Sequence, residues 1–282
     1  MNSEVKPLSK SYIVYQVFKY LVYTVLCYNL YIFYVDDFSA SAQTFSDGVS
    51  LGNVVLAYSA TIDTAAWILL LVVFELETFI VSDENIKGIV KWSMFAAKAI
   101  CYFFIIYACY GYIDKLIVLS DYSVFKPADI CNLVGSNFTS IVTLDDYAPI
   151  TKDVCQSLSN SSLIQINGTN IIGTPDALQE IQWLAWVDVI NSIDWLLIVI
   201  ILEIDVYLQL KGQLTGRARR LSKFIKSALY SVLFINAIYW GFNGEAVDFW
   251  DAFLWIVAFF FIEMNIFEWH ADTQEKQAPE SL

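Results

Sequence analysis

Three acidic stretches of the chain share one spacing. The first reads Asp63-x3-Trp67-x7-Glu75-x-Glu77-x-Phe79, the second Asn191-x3-Trp195-x7-Glu203-x-Asp205-x-Tyr207, and the third Asp251-x3-Trp255-x7-Glu263-x-Asn265-x-Phe267. Such a threefold recurrence is hard to attribute to composition alone. The second and third stretches agree further upstream, where Val187-Asp188 matches Val247-Asp248. A weaker echo, Lys-x3-Tyr, occurs at Lys19 and Tyr23, Lys98 and Tyr102, and Lys226 and Tyr230, and nowhere else in the chain.

These residues lie in strongly apolar surroundings, and that limits their chemistry. A carboxylate at membrane depth costs about 2.5–3.5 kcal/mol on insertion scales, so it faces protein or water and has a partner. The spacing predicts three Lys–Glu pairs between Lys19, Lys98 and Lys226 and Glu75, Glu203 and Glu263, one per hairpin or between neighbouring hairpins, with Lys98 the first candidate for Glu203. At 100° per residue, Asp63, Trp67 and Glu77 fall within about 80° of one another on a helix. Corresponding positions of the three stretches can then line one shared face. Asp63, Asn191 and Asp251 form an outer polar layer of that face. Glu77, Asp205 and Asn265 form an inner layer about 21 Å away at 1.5 Å per residue. Acidic rings select cations and carboxylate chains relay protons. The competing account is structural, because Lys–Glu pairs and buried Asp or Asn also join helices, and span-end Trp and Tyr anchor helices at the interface.

Other chemistries lack their residues. The one histidine, His270, lies beyond the last apolar stretch, whereas haem and di-iron sites draw on histidines within helices. The motifs HExxH, GxxxxGK[ST], GxGxxG and CxxC are absent. Cys27, Cys101 and Cys109 fall in apolar segments and read as packing residues. No catalytic residue, metal site or cofactor is expected, and a net charge of −13 argues against a nucleic-acid partner.

The elements that position these residues are membrane helices. Of 282 residues, 57% are apolar and only 16% charged, against about 25% charged in an average soluble domain. Mean hydropathy is +0.55. A bilayer core needs about 20 apolar residues per helix. Six such spans are expected, at 12–34, 63–81, 91–113, 181–208, 224–242 and 249–267. The segment 48–60 is either an interfacial helix or an extension of the second span. The acidic stretches fall on the even spans and the Lys-x3-Tyr echoes on the odd ones. The expected fold is therefore an all-α polytopic membrane protein, a single domain over 1–282. Its six transmembrane helices form three repeated hairpins at 12–81, 91–208 and 224–267, set about a pseudo-threefold axis along the membrane normal. The span interiors hold no proline and almost no glycine, with Gly111 and Gly241 near the ends. Alternating-access carriers commonly break their helices at such residues, so a solute carrier is disfavoured.

Basic residues orient the spans. One side carries Lys6, Lys10, Lys87, Lys91, Lys211, Arg217, Arg219, Arg220, Lys223 and Lys276, and the other only Lys115, Lys126 and Lys152 among many acids. Positive loops stay inside, which places both termini in the cytoplasm. The basic run 211–223 is then a cytoplasmic anchor, with anionic lipid or an acidic partner as its other use. The segment 115–180 becomes an extracytoplasmic insertion between helices 3 and 4. It holds Cys131 and Cys155, the only cysteines outside the spans, and a disulfide between them is expected. Its sequons at Asn137, Asn160 and Asn167 are expected to be silent, since short tails and compact loops suit a bacterial inner membrane. The expected role is a non-enzymatic structural or accessory subunit of a membrane complex, held by the lipid bilayer and by other membrane subunits or further copies of itself. The alternative is a cation or proton channel built on the repeated acids.

Overall fold

The computed structural model describes residues 10–45, 48–77, 87–211, 213, 216–243 and 246–277. Long apolar runs without internal proline fold as helices: α1 (Lys10–Thr44), α2 (Val54–Ala57), α3 (Ser59–Glu75), α4 (Ile89–Ser120), α6 (Pro175–Leu210), α7 (Gly216–Phe242) and α8 (Ala246–Gln277), with the short α5 (Lys152–Leu158) between α4 and α6. Segment 48–60 is thus partly turn and partly helix. Tyr58 leaves helical geometry between α2 and α3 at φ −131°, so α2 is a detached turn that leads into α3.

Three helices are long and apolar enough to cross a membrane, over Ile13–Thr44, Ile89–Ser120 and Gly216–Phe242. They belong to α1, α4 and α7. Only 11% of the apolar window of α4 is buried within the protein. Its outer face shows Trp92, Phe95, Phe103, Ile106 and Tyr110, each more than half exposed. Soluble monomers do not expose apolar surface on that scale, and lipid accounts for it. The protein is a membrane protein.

The six long helices close into a ring. Each packs on two others, in the order α1, α3, α4, α6, α7, α8 and back to α1. The apolar α1, α4 and α7 alternate with the acid-bearing α3, α6 and α8. At the middle, Trp67 of α3 meets Trp195 of α6 and Trp255 of α8, with ring centroids 5.9 and 6.2 Å apart. Phe259 joins them 4.6 Å from Trp195. All four rings are buried, and Leu26, Leu70, Ile105, Ile198 and Leu233 pack around them. Gly111 permits a close approach of α4 to α2. A Cβ there would lie 2.6 Å from the Val55 carbonyl oxygen, so only glycine lets α4 pass the end of α2.

The all-α expectation needs one correction, because the insertion contains a five-stranded sheet. Its strands are β1 (Tyr122–Phe125), β2 (Thr139–Ile141), β3 (Tyr147–Pro149), β4 (Leu163–Ile166) and β5 (Ile171–Gly173), ordered β1-β4-β5-β2-β3. The β2–β5 pair is parallel and the rest are antiparallel. Short β-branched and aromatic runs separated by Gly, Asn, Asp and Ser favour this outcome over helix. The flanking helices both run into the segment 115–180. Helix α4 runs on to Ser120, and α6 starts at Pro175, a residue suited to the first helical position. The Thr174 hydroxyl caps α6 by accepting from the Ala177 amide at 3.2 Å.

The expected disulfide is present and joins Cys131 to Cys155. It ties the 3-10 turn Ile130–Leu133 to α5 over a small core of Ile130, Ile150, Leu163 and Ile172. On its other face the sheet packs on the ring. Ile141, Ile164, Ile166 and Ile171 share one apolar cluster with Leu116 of α4, Ile181 and Leu184 of α6, Trp240 of α7 and Ala252 of α8.

Candidate functional site: a central acidic cavity

The ring encloses a cavity of about 250 Å3 beneath the insertion. Its walls follow from helical spacing. On α3, α6 and α8, a polar residue stands four positions before an inward tryptophan, so the two lie one turn apart on the same face. Asp63 with Trp67, Asn191 with Trp195, and Asp251 with Trp255 all line this one cavity. Three positions upstream, Asp188 and Asp248 line it too, and Ala60 takes the corresponding place on α3. Asp36 and Asp37 enter from α1 and Asp145 from the insertion. The lining therefore has seven aspartates and one basic residue, Lys115. At its deep end stand Trp67, Trp195, Trp255 and Phe259.

Several aspartates are fixed by neighbours. The Asn29 side-chain amide donates to Asp251 Oδ1 at 2.8 Å, and the Trp255 indole also points to that carboxylate. The Trp67 indole and the Tyr112 hydroxyl point to Asp63. Asp37 accepts from the Thr61 amide at 2.9 Å and from its hydroxyl at 2.6 Å. Lys115 pairs with Asp145 at 2.7 Å, and Asp37 and Asp188 add to the field on its ammonium. Asp63 Oδ1 and Asn191 Oδ1 are enclosed and accept no hydrogen bond among the described residues. The loop that carries Asp145 is held by Tyr147, whose hydroxyl donates to the Leu144 carbonyl at 2.8 Å. Burial and the Asp145 charge push that phenol up from its ordinary pKa, so it stays a donor at neutral pH.

The other carboxylates sit toward the opposite end and are occupied differently. Lys19 of α1 pairs with Glu75 of α3, and both are buried. The hydroxyls of Tyr20 and Tyr23 also donate to Glu75, at 3.5 and 3.4 Å. Lys98 of α4 pairs with Glu77, not with Glu203. This corrects the pairing expected from spacing, and the ring order explains it. Helix α4 packs between α3 and α6, so Lys98 reaches back to α3 while Tyr102 donates to Glu203 of α6 at 2.9 Å. Likewise Lys226 of α7 pairs with Asp205 of α6 at 3.1 Å, where Ser222 also donates at 2.5 Å. The side chains of Glu263 and Asn265 lie outside the described residues. Of the residues singled out from spacing, Asp63, Asn191 and Asp251 share the cavity. Glu75, Glu77, Glu203 and Asp205 are spread over interhelical contacts.

Spacing alone does not reveal Asn29, Asp37, Tyr112, Lys115 or Asp145. In the sequence Lys115 registers only as one of the charges that set orientation, and Asp37 and Asp145 only among the acids of the same side. The signal available was Lys115, the one of three lysines on the acid-rich side that lies close in sequence to the end of an apolar span. Cys101 and Cys109 are buried, whereas Cys27 is exposed. Comparison with protein-family models, curated proteins and solved structures finds no match.

Proposed function

We propose that the chain is a non-enzymatic membrane protein that admits cations into the central cavity from the extracytoplasmic side and conducts them across the membrane. The observation that carries this reading is the imbalance of seven aspartates against one lysine around a single cavity. Outward of the aromatic layer the acids outnumber their counter-ions. Inward of it, Lys19, Lys98 and Lys226 each face a carboxylate. A cation entering from outside is attracted at every step to that layer, because low-dielectric walls focus the field of the acids. Conduction then requires the layer of Trp67, Trp195, Trp255 and Phe259 to rearrange.

The membrane arrangement proposed with it has six spans in three hairpins, both termini cytoplasmic, in a bacterial inner membrane. The ring supports six spans: α3, α6 and α8 each pack between two of α1, α4 and α7, so a bilayer that holds the apolar three surrounds the others. The shared placement of the three polar–Trp pairs supports the threefold repeat. Flux of potassium, sodium and protons into liposomes holding only the purified protein tests the proposal. Flux above that of empty liposomes, reduced by the Asp251→Asn change, is expected. Flux at background for every cation overturns conduction.

A second reading is an accessory subunit of a membrane complex, joined to other membrane subunits or to copies of itself. The paired carboxylates favour it, since Glu75, Glu77 and Asp205 have structural partners that need no ion.

A further inference from the structure

The ligand class follows from how the cavity distributes its charge. We infer that the central cavity binds a small alkylammonium cation, such as an amine or diamine, in preference to a bare metal ion. The inference rests on the proposed cation-admitting role of this cavity and goes on to name the cation.

Three observations carry it. The first is the dispersal of the acids. A divalent metal ion requires six or more oxygens converging within about 2.0–2.6 Å. Among the described residues no three acidic, histidine or cysteine side chains come together closely enough to hold one. The seven aspartates come from α1, α3, α6, α8 and the insertion and surround the volume instead of meeting at a point. Asp251, Asp37 and Asp145 are each already engaged by a fixed donor. They give the cavity a negative potential without giving it a coordination shell.

The second is the aromatic share of the wall. Trp67, Trp195, Trp240, Trp255, Tyr112 and Phe259 line the same space. Aromatic faces attract ammonium groups and accept the apolar carbon body attached to them. A strongly hydrated inorganic ion gains little from that surface. The third is the pair of unused acceptors. Asp63 Oδ1 and Asn191 Oδ1, one turn from the tryptophans, accept no hydrogen bond among the described residues. An enclosed acceptor left unmatched is costly, and an N–H group of the ligand would satisfy it. Lys115 shows the chemistry in place, since its ammonium on an alkyl stem already stands in this lining against Asp145.

The test is equilibrium binding to the purified full chain in nanodiscs, read by intrinsic tryptophan fluorescence and by calorimetry. The probes are 1,4-diaminobutane, tetramethylammonium, sodium, potassium and calcium, at constant ionic strength. Saturable binding of an organic cation at least tenfold tighter than any metal ion is expected, with a change in tryptophan emission. Asp251→Asn and Asp63→Asn should each weaken it by tenfold or more. If either variant does not fold, competition on the wild-type protein still decides, because excess diamine should then prevent any metal-induced change. Tighter binding of a metal ion overturns the ammonium inference and leaves the cation-admitting cavity standing. Absence of binding by every probe overturns both.

Discussion

Lys115 on α4 and Asp145 in the insertion stand 2.7 Å apart in the wall of the cavity, and among the described residues that line it Lys115 is the one positive charge beside seven aspartates. Lys115→Gln removes that charge while keeping a polar side chain. Asp145 is partly solvated, so the cost stays below that of a fully buried pair, at about 1–3 kcal/mol. Because the loss arises from repulsion among the remaining acids, mobile cations relieve it. The variant should unfold at lower temperature than wild type in low salt, and the gap should narrow in 0.5 M salt, where screening acts over only a few ångströms. A gap independent of salt would show that Lys115 acts through packing alone.

The buried pair Lys19–Glu75 and the exposed contact Tyr102–Glu203 make opposite predictions for the same chemical change. Glu75→Gln takes the charge away from a fully buried lysine and should cost about 3–5 kcal/mol. Lys19→Met together with Glu75→Gln should recover part of the loss. Glu203 is exposed and accepts one tyrosine hydroxyl, so Glu203→Gln should cost about 0.5–1.5 kcal/mol. Thermal unfolding of the detergent-solubilised variants ranks them. Equal effects at the two positions would contradict the difference in burial.

Gly111 and Gly241 both lie in helices, but their surroundings differ. A methyl group at Gly111 meets the Val55 backbone oxygen at 2.6 Å, and that atom cannot turn away. At Gly241 the nearest atoms belong to the Phe249 ring, at 3.3 Å. Gly111→Ala should therefore cost about 1–3 kcal/mol through overpacking, and Gly241→Ala well under that. Protease resistance of the insertion, whose apolar cluster shares Leu116 with α4, should fall in the first variant only. An unchanged Gly111→Ala protein would show that α2 yields without cost.

Orientation is checked by labelling single cysteines in a background from which Cys27 has been removed. A cysteine at Ser161 in the insertion should react with an impermeant reagent on intact cells, and one at Arg219 in the basic segment only after lysis. The reverse pattern would invert the cavity and send its acids toward the cytoplasm.

Some of this arrangement was legible in the amino-acid order and some was not. Helices announce themselves through long apolar runs free of proline, and the polar–x3–Trp recurrence puts its residues on one helical face by simple periodicity. The sheet was illegible because its strands are three or four residues long, too short for a period-two pattern to stand out. The partner of Lys98 was illegible for another reason. Spacing places a lysine at a depth, whereas the choice between Glu77 and Glu203 depends on which neighbouring helix it faces. Asp145 enters the cavity only because the insertion folds back over the ring, a long-range event with no local signature.

The amide of Asn29 on the first helix finds its acceptor, Asp251, on the last. Synthesis delivers these two residues 222 positions apart. Until α8 docks, the flank of α1 that it covers is open, and the wall of the ring has a gap the width of a helix. The ring is thus closed only when α8 docks between α7 and α1, and a chain truncated before α8 has an open groove in place of a chamber.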